Sequence, residues 1–401
     1  MKQFILYIMH GVESISPKSQ APSPKPQDYN SKNWKLGLGI WNLGLCVGKF
    51  IPVLTYIFVC SCLLTSFVSA QAFSCKKLLE KEKEVGYPVT DTHFQLLESI
   101  FQQINKQIVF DAAPSEAKAL AICIAINDVL ENDFGISYGV TNILSRGLDN
   151  HKLDCNFYSI LFYDILNKQH GYNVFPVVTP GHMFIRWYLK NGSSFNYETT
   201  DKTSGSNQEY IDLFNISEQA ITNKIYMSDI SDKQIWATNL VEMASIMPPD
   251  NLKQKEKLSK DALTLDKKCV IAHFLKADIY IDQTKYDSAI TYYNNLYRLD
   301  SLNYQIAIRI GNLYALLDKH LQAVNYYSKA IAINSANPEL YIYRSKEFLR
   351  VDNVDKAMED FEIAGNLLSK DNLFALLFNY ILLTVLEQEI MQKYLEIHDK
   401  K

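Results

Sequence analysis

Between Asp91 and Trp236 the spacing of apolar residues changes character. Over "DTHFQLLESIFQQINKQI", "EAKALAICIAINDVLEN" and the stretch after Asp154 they recur three and four apart, the period of helices with one buried stripe. Further on, "YNVFPVVT", "HMFIRWYL" and "SSFNYETT" read at strand length, partly alternating. Helices first and strands afterwards predict an α+β domain, assigned to residues 76–235.

A second pattern fills residues 236–401. Small residues Ala277, Gly311 and Ser345 recur at a period of 34, followed three positions later by Tyr280, Tyr314 and Phe348. Ala289, Ala323 and Ala357 keep the same phase, as do Tyr293, Tyr327 and Phe361, then Leu296, Ala330 and Ala364. Small residues are needed where two helices cross closely, and aromatics fill the space between neighbouring units, so each period is an antiparallel helix pair. This region resembles the tetratricopeptide repeat, whose second helix "KYDSAITYYNNLYRLD" and "HLQAVNYYSKAIAIN" match. Asn337-Pro338 supplies an N-cap and first helical residue for the third copy. Leu240 to Leu265 reads as a degenerate copy with Ala262 in phase, and Leu373 to Tyr394 as a terminal helix. Such repeats imply an all-α solenoid that binds a protein partner.

The N-terminal part has neither period. Residues 1–50, rich in Pro, Ser, Lys and Gly, read as a low-complexity extension that need not be translated. Residues 51–72 contain twenty consecutive uncharged positions, Ile51 to Ala70, long enough to span a bilayer, and small residues near Ala70 and Ala72 fit signal-peptidase sites. A transmembrane anchor and a cleaved signal both remain open, with lipidation of Cys75 a third reading. Lysines before the run place the remainder of the chain across the membrane, anchored facing outward through residues 51–70 or exported to the periplasm or exterior.

Formal net charge is −4 with both signs interspersed, so no basic stripe for nucleic acid is present. The seven cysteines show no paired metal spacing. His151, Cys155 and His182 lack an obvious fourth ligand, so no metal or cofactor is expected.

Candidate chemistry begins at "HKLDCNFYSILFYDIL". Asp154 is a good N-cap, which puts Cys155 in the first turn of a helix burying Ile160, Leu161, Ile165 and Leu166; unpaired N–H groups there favour a thiolate. His182 opens a strand and shares a face with Phe184 and Arg186, while Met183, Ile185 and Trp187 share the other. Asn191-Gly192 then marks a hairpin. A two-residue loop pairs Lys190 with Ser193, setting His182 opposite Asp201 with Glu198 on the far face. A three-residue loop, 191–193, pairs Lys190 with Ser194 and puts Glu198 opposite Arg186, on the face of His182.

Cysteine, histidine on a later strand, and an acid on the next is the order of a nucleophile, its base and the base's orienter. Leu153 to Lys202 resembles the catalytic core of the transglutaminase-like superfamily, with its papain-type arrangement, in "DCNFYSILFYDIL", "GHMFIRW" and "NYETT". Glu198-Thr199-Thr200 stands where Asp-Pro-Thr is usual. The resemblance implies Cys155, His182 and Glu198 as a catalytic triad, with Asp201 in reserve, acting on a peptide or protein substrate as protease, amidase or transglutaminase. The competing expectation is a non-catalytic scaffold that binds proteins through its repeats.

Overall fold

The computed structural model describes residues 74–367, 386–393 and 395. The low-complexity extension, the apolar segment 51–72 and most of the terminal helix expected from Leu373 to Tyr394 lie outside these residues. Among the described residues no helix is long and apolar enough to cross a membrane.

Three helices open the α+β part: α1 (Ser74–Glu84), α2 (Asp91–Gln107) and α3 (Glu116–Phe134). Leu97, Ile100, Phe101 and Ile104 form the buried stripe of α2, three and four apart as its sequence requires. Helix α3 stops at Gly135, whose φ of 65° lets its own N–H close on Glu131 while Ile136 closes on Leu130. The start of α1 is capped from far along the chain: Asp164 accepts from the N–H groups of Ser74 and Cys75 at 2.9 and 2.8 Å. Burial lifts the Asp164 carboxyl to about 6 against these bonds. Cys75 is fully buried beside it.

Strands β1 (Ser137–Tyr138) and β2 (Lys152–Leu153) form a short parallel pair around α4 (Leu144–Asp149). From β2 the chain enters α5 (Cys155–Tyr163), which widens into a π-helix over Asp164–Gln169. The four residues expected to be buried, Ile160, Leu161, Ile165 and Leu166, are all at most 2% exposed. Next comes an antiparallel meander of β3 (Val174–Thr179), β4 (His182–Tyr188), β5 (Ser194–Glu198) and β6 (Thr203–Gly205). Met183, Ile185, Trp187 and Tyr197 turn one face into the main core under α5. The other face, through Val177 and Phe184, is covered by α6 (Asn207–Leu213), α7 (Glu218–Thr222) and the segment after α7.

Among the described residues four helix pairs follow: α8 (Asp232–Ser245) with α9 (Leu252–Leu265), α10 (Val270–Asp282) with α11 (Tyr286–Leu299), α12 (Tyr304–Leu316) with α13 (His320–Ile333), and α14 (Pro338–Arg350) with α15 (Val354–Leu367). The period of 34 has a direct steric cause. A Cβ on Gly311 would lie 2.7 Å from Cε1 of Tyr327, so the small residue and the aromatic sixteen positions later are one packing unit. Tyr327 also donates to Asn312 at 2.7 Å, as Tyr293 does to Asp278 at 3.1 Å. Asn337 caps α14 by accepting from the Glu339 N–H, with Pro338 beginning the helix. Residues 386–393 are helical, and Leu386 and Ile390 pack into the core of the last pair.

The solenoid is not a loose appendage. Position 236 falls inside α8, which starts at Asp232 through a Ser231–Gln234 capping box. Leu240, Ala262 and Ala272 belong to the same core as the sheet. A second seam joins α7 to the end of α11. Ser217 donates to Asp300 at 2.7 Å, Asn223 donates to the Leu299 carbonyl at 2.7 Å, and Gln219 accepts from Ser301 at 2.8 Å.

Candidate active site at the start of α5

Asp154 caps α5 by accepting the Phe157 N–H at 3.1 Å, which leaves Cys155 as the first helical residue. One turn on, Ser159 is fully buried and donates to the Met183 carbonyl at 3.2 Å. Residues four apart share a helix face. The bond from Ser159 therefore seats Cys155 over the beginning of β4, where His182 stands, near enough for the thiol to act on the ring.

Nε2 of the His182 ring is 2.5 Å from Oε2 of Glu198. Glu198 is 8% exposed, and Thr200 donates to its second oxygen at 2.7 Å. The structure thus brings His182 and Glu198 into contact, with Cys155 close to the same ring. Asp201 is excluded from it: its carboxylate accepts from the N–H and hydroxyl of Thr203 in its own turn. Asn150 is an exposed C-cap residue, and the Nδ1 of exposed His151 engages the Phe134 carbonyl at 2.8 Å, so neither joins the site.

The hairpin reaches this outcome by neither of the two expected loops. Tyr188 pairs with Ser194, and the Leu189 N–H donates to Ser193 at 2.8 Å, so the loop is 190–192. Arg186 faces Asn196 rather than Glu198. Buried Leu189 stays on the sheet while exposed Lys190 leaves it, and Asn191 closes the turn by accepting the Ser193 N–H. The register differs from the expected three-residue loop by two positions, which preserves the face. Glu198 therefore still lies on the His182 side.

Burial pushes the His182 imidazole towards its neutral form, but the bonds to Cys155 and Glu198 and the charges of both outweigh it, raising the ring from 6.5 to about 10. Asp154 moves the other way for an acid: burial, opposed by the Phe157 N–H, lifts it to about 7. Among the four described cysteines Cys155 alone is partly exposed, and none is in a disulfide. Burial raises the Cys75 and Cys123 thiols well above the ordinary range and the Cys269 thiol to about 12.

Three aromatic neighbours were not visible in the sequence pattern. Phe214 stacks on His182 with centroids 5.8 Å apart, Tyr210 stacks on Phe184 at 4.0 Å, and half-exposed Tyr138 stands near enough to Cys155 to feel its charge. Beside them Arg186 is locked by Asn196, Asn207 and Asp229 at 2.9, 2.9 and 3.2 Å, so it is spent on structure.

The tetratricopeptide repeat family matches residues 270–301 and 304–337, which fall on α10–α11 and α12–α13. The C-terminal part is thus a tetratricopeptide-repeat solenoid, a class of protein-binding scaffold. Similar solved structures include a MamA protein, 17% identical over 43% of this chain and 95% of its own, with a TM-score of 0.32. Another is YrrB, described as a tetratricopeptide protein with an unusual peptide-binding site, 17% identical over 40% of this chain and 86% of its own at 0.30. A third is the thermophilic tetratricopeptide protein TTC0263 of Thermus thermophilus, 15% identical over 37% and 81% at 0.30. No curated protein matches the chain.

Proposed function

We propose that the protein is a thiol-dependent acyl hydrolase or acyltransferase of transglutaminase-like type, whose repeats bind the protein that carries its substrate. The observation that carries this reading is the 2.5 Å contact of His182 with Glu198, with Cys155 near enough to act on the same ring. In the proposed reaction the Cys155 thiolate attacks an amide or other acyl carbon, and its S–C bond forms as the carbonyl becomes an oxyanion. The backbone N–H of Cys155, unpaired in the first helical turn, is one donor for that charge. Protonated His182 gives its proton to the leaving amine as the C–N bond breaks, leaving a thioester. Water, deprotonated by the same imidazole, or an amine then takes the acyl group and restores the thiol. Glu198 orients the ring and stabilises its charge. The apolar run 51–70 supports action outside the membrane, anchored or exported.

The matched repeats favour a second reading, a scaffold that binds proteins and has no turnover. Alkylation by iodoacetamide separates the two. The first reading expects fast modification at neutral pH that Cys155→Ala abolishes and His182→Ala slows. Slow labelling of Cys155, indifferent to His182, would leave the scaffold.

A further inference from the structure

Glu198 is the last residue of β5, and the groups that fix this strand end come from α3, far earlier in the chain. Asn127 of α3 is 2% exposed, and its side-chain amide donates twice. Nδ2 gives one hydrogen bond to the Tyr197 hydroxyl at 3.0 Å and one to the Thr199 carbonyl at 3.2 Å, the residues immediately before and after Glu198. A carbonyl only accepts, so the amide nitrogen must be the atom that faces Thr199. Oδ1 is then left buried without a hydrogen-bond partner among the described residues. An apolar side chain of similar shape would fill the space without that unmet acceptor, so packing alone does not account for the amide. Helix α3 also holds the turn that follows β5. The Lys202 N–H closes that turn on the Glu198 carbonyl at 3.0 Å, while its ammonium reaches Asp128 and Glu131 at 2.9 and 2.8 Å. From α5, the Ser159 hydroxyl lies 3.4 Å from that of Thr199.

We propose that Asn127 is a positioning residue of the thiol site: by holding the residues on either side of Glu198, it fixes the carboxylate at its 2.5 Å contact with Nε2 of His182. The inference rests on the acyl-transfer reading above, in which Glu198 orients the ring. A glutamate side chain has three rotatable bonds, so its carboxylate needs more than one hold to stay in place. Thr200 ties one oxygen to the turn, and Asn127 ties the turn to the body of the domain. A charge-assisted bond as short as this one weakens steeply as its two ends part.

The test is the NMR titration of the His182 ring in the full chain, for wild type, Asn127→Leu, Glu198→Gln and the double variant. Burial opposes charging of this ring, but Cys155 and Glu198, the titratable groups that face it, raise it to about 10. Asn127→Leu keeps the bulk and removes both donors, and is expected to lower the ring by about one pH unit, a tenfold loss of proton affinity. In the Glu198→Gln background the same substitution is expected to move it by less than about 0.3 of a pH unit, because the carboxylate it positions is gone. A lowered urea midpoint with the His182 titration unmoved means a structural role only and overturns the proposal, as does an equal shift in both backgrounds. Should Asn127→Leu fail to fold by circular dichroism, Tyr197→Phe, which deletes only the hydroxyl that Asn127 holds, must lower the same titration, and an unmoved ring then overturns the proposal. Slow iodoacetamide labelling of wild-type Cys155, indifferent to His182, defeats the acyl-transfer reading itself and this inference with it. Fast wild-type labelling with the His182 titration unmoved in the variant defeats only the inference.

Discussion

Replacing Glu198 by Gln keeps the shape of the side chain and removes its charge, which makes the electrostatics of the site measurable as stability. Holding the His182 proton up to about 10 from 6.5 corresponds to roughly 5 kcal/mol at about 1.4 kcal/mol per pH unit. Cys155 and Glu198 share it, so Glu198→Gln should remove about 2 kcal/mol at neutral pH. The sign follows from the direction of the shift. A base whose folded pKa lies above its unfolded one contributes fully below the unfolded value and loses the contribution as pH rises through the folded one. For His182 the window runs from about 6.5 to about 10. Urea unfolding of wild type and Glu198→Gln across that range should give a difference that is largest near pH 6.5 and fades towards pH 10. A difference that stays constant with pH would mean that Glu198 acts by packing alone, and would refute the electrostatic reasoning.

Other consequences concern the capping aspartate and the repeats. Burial holds Asp154 protonated up to about 7, so this group favours the fold at low pH and loses its contribution as pH rises from 3.8 to about 7; Asp154→Asn, which keeps a capping oxygen, should flatten that part of the wild-type stability curve. Gly311→Ala gains about 1 kcal/mol of helix propensity but drives a methyl to 2.7 Å from Tyr327, and overpacking of about 1–3 kcal/mol should win. A lowered thermal midpoint is expected, and a raised one would show that Tyr327 yields at no cost.

The repeats were legible because their packing rule is local and repeated: a residue without bulk at 311 and an aromatic at 327 must recur together wherever helix pairs stack. The helix start at Cys155 and the strand entrance at His182 were legible for the same reason, through a cap and an alternation. Glu198 was legible by face though not by partner, since faces repeat every two residues while the loop position depends on whether Leu189 or Lys190 is buried. What escaped was the segment 206–230. Its short helices carry little periodicity, and its role depends on contacts across distant parts of the chain, such as Phe214 on His182 and Asn223 on Leu299. The cap that Asp164 gives α1 escaped likewise, because the groups it joins are about ninety residues apart.

Acyl transfer through Cys155 is the claim on which the account turns, and the adduct is its most direct test. The full chain incubated with an activated acyl ester at neutral pH should gain the mass of one acyl group on the peptide containing Cys155. The adduct should be released by hydroxylamine, as a thioester is, and absent from Cys155→Ala. A chain that gains no acyl group, or gains it equally in Cys155→Ala, would contradict the account and leave a protein that only binds.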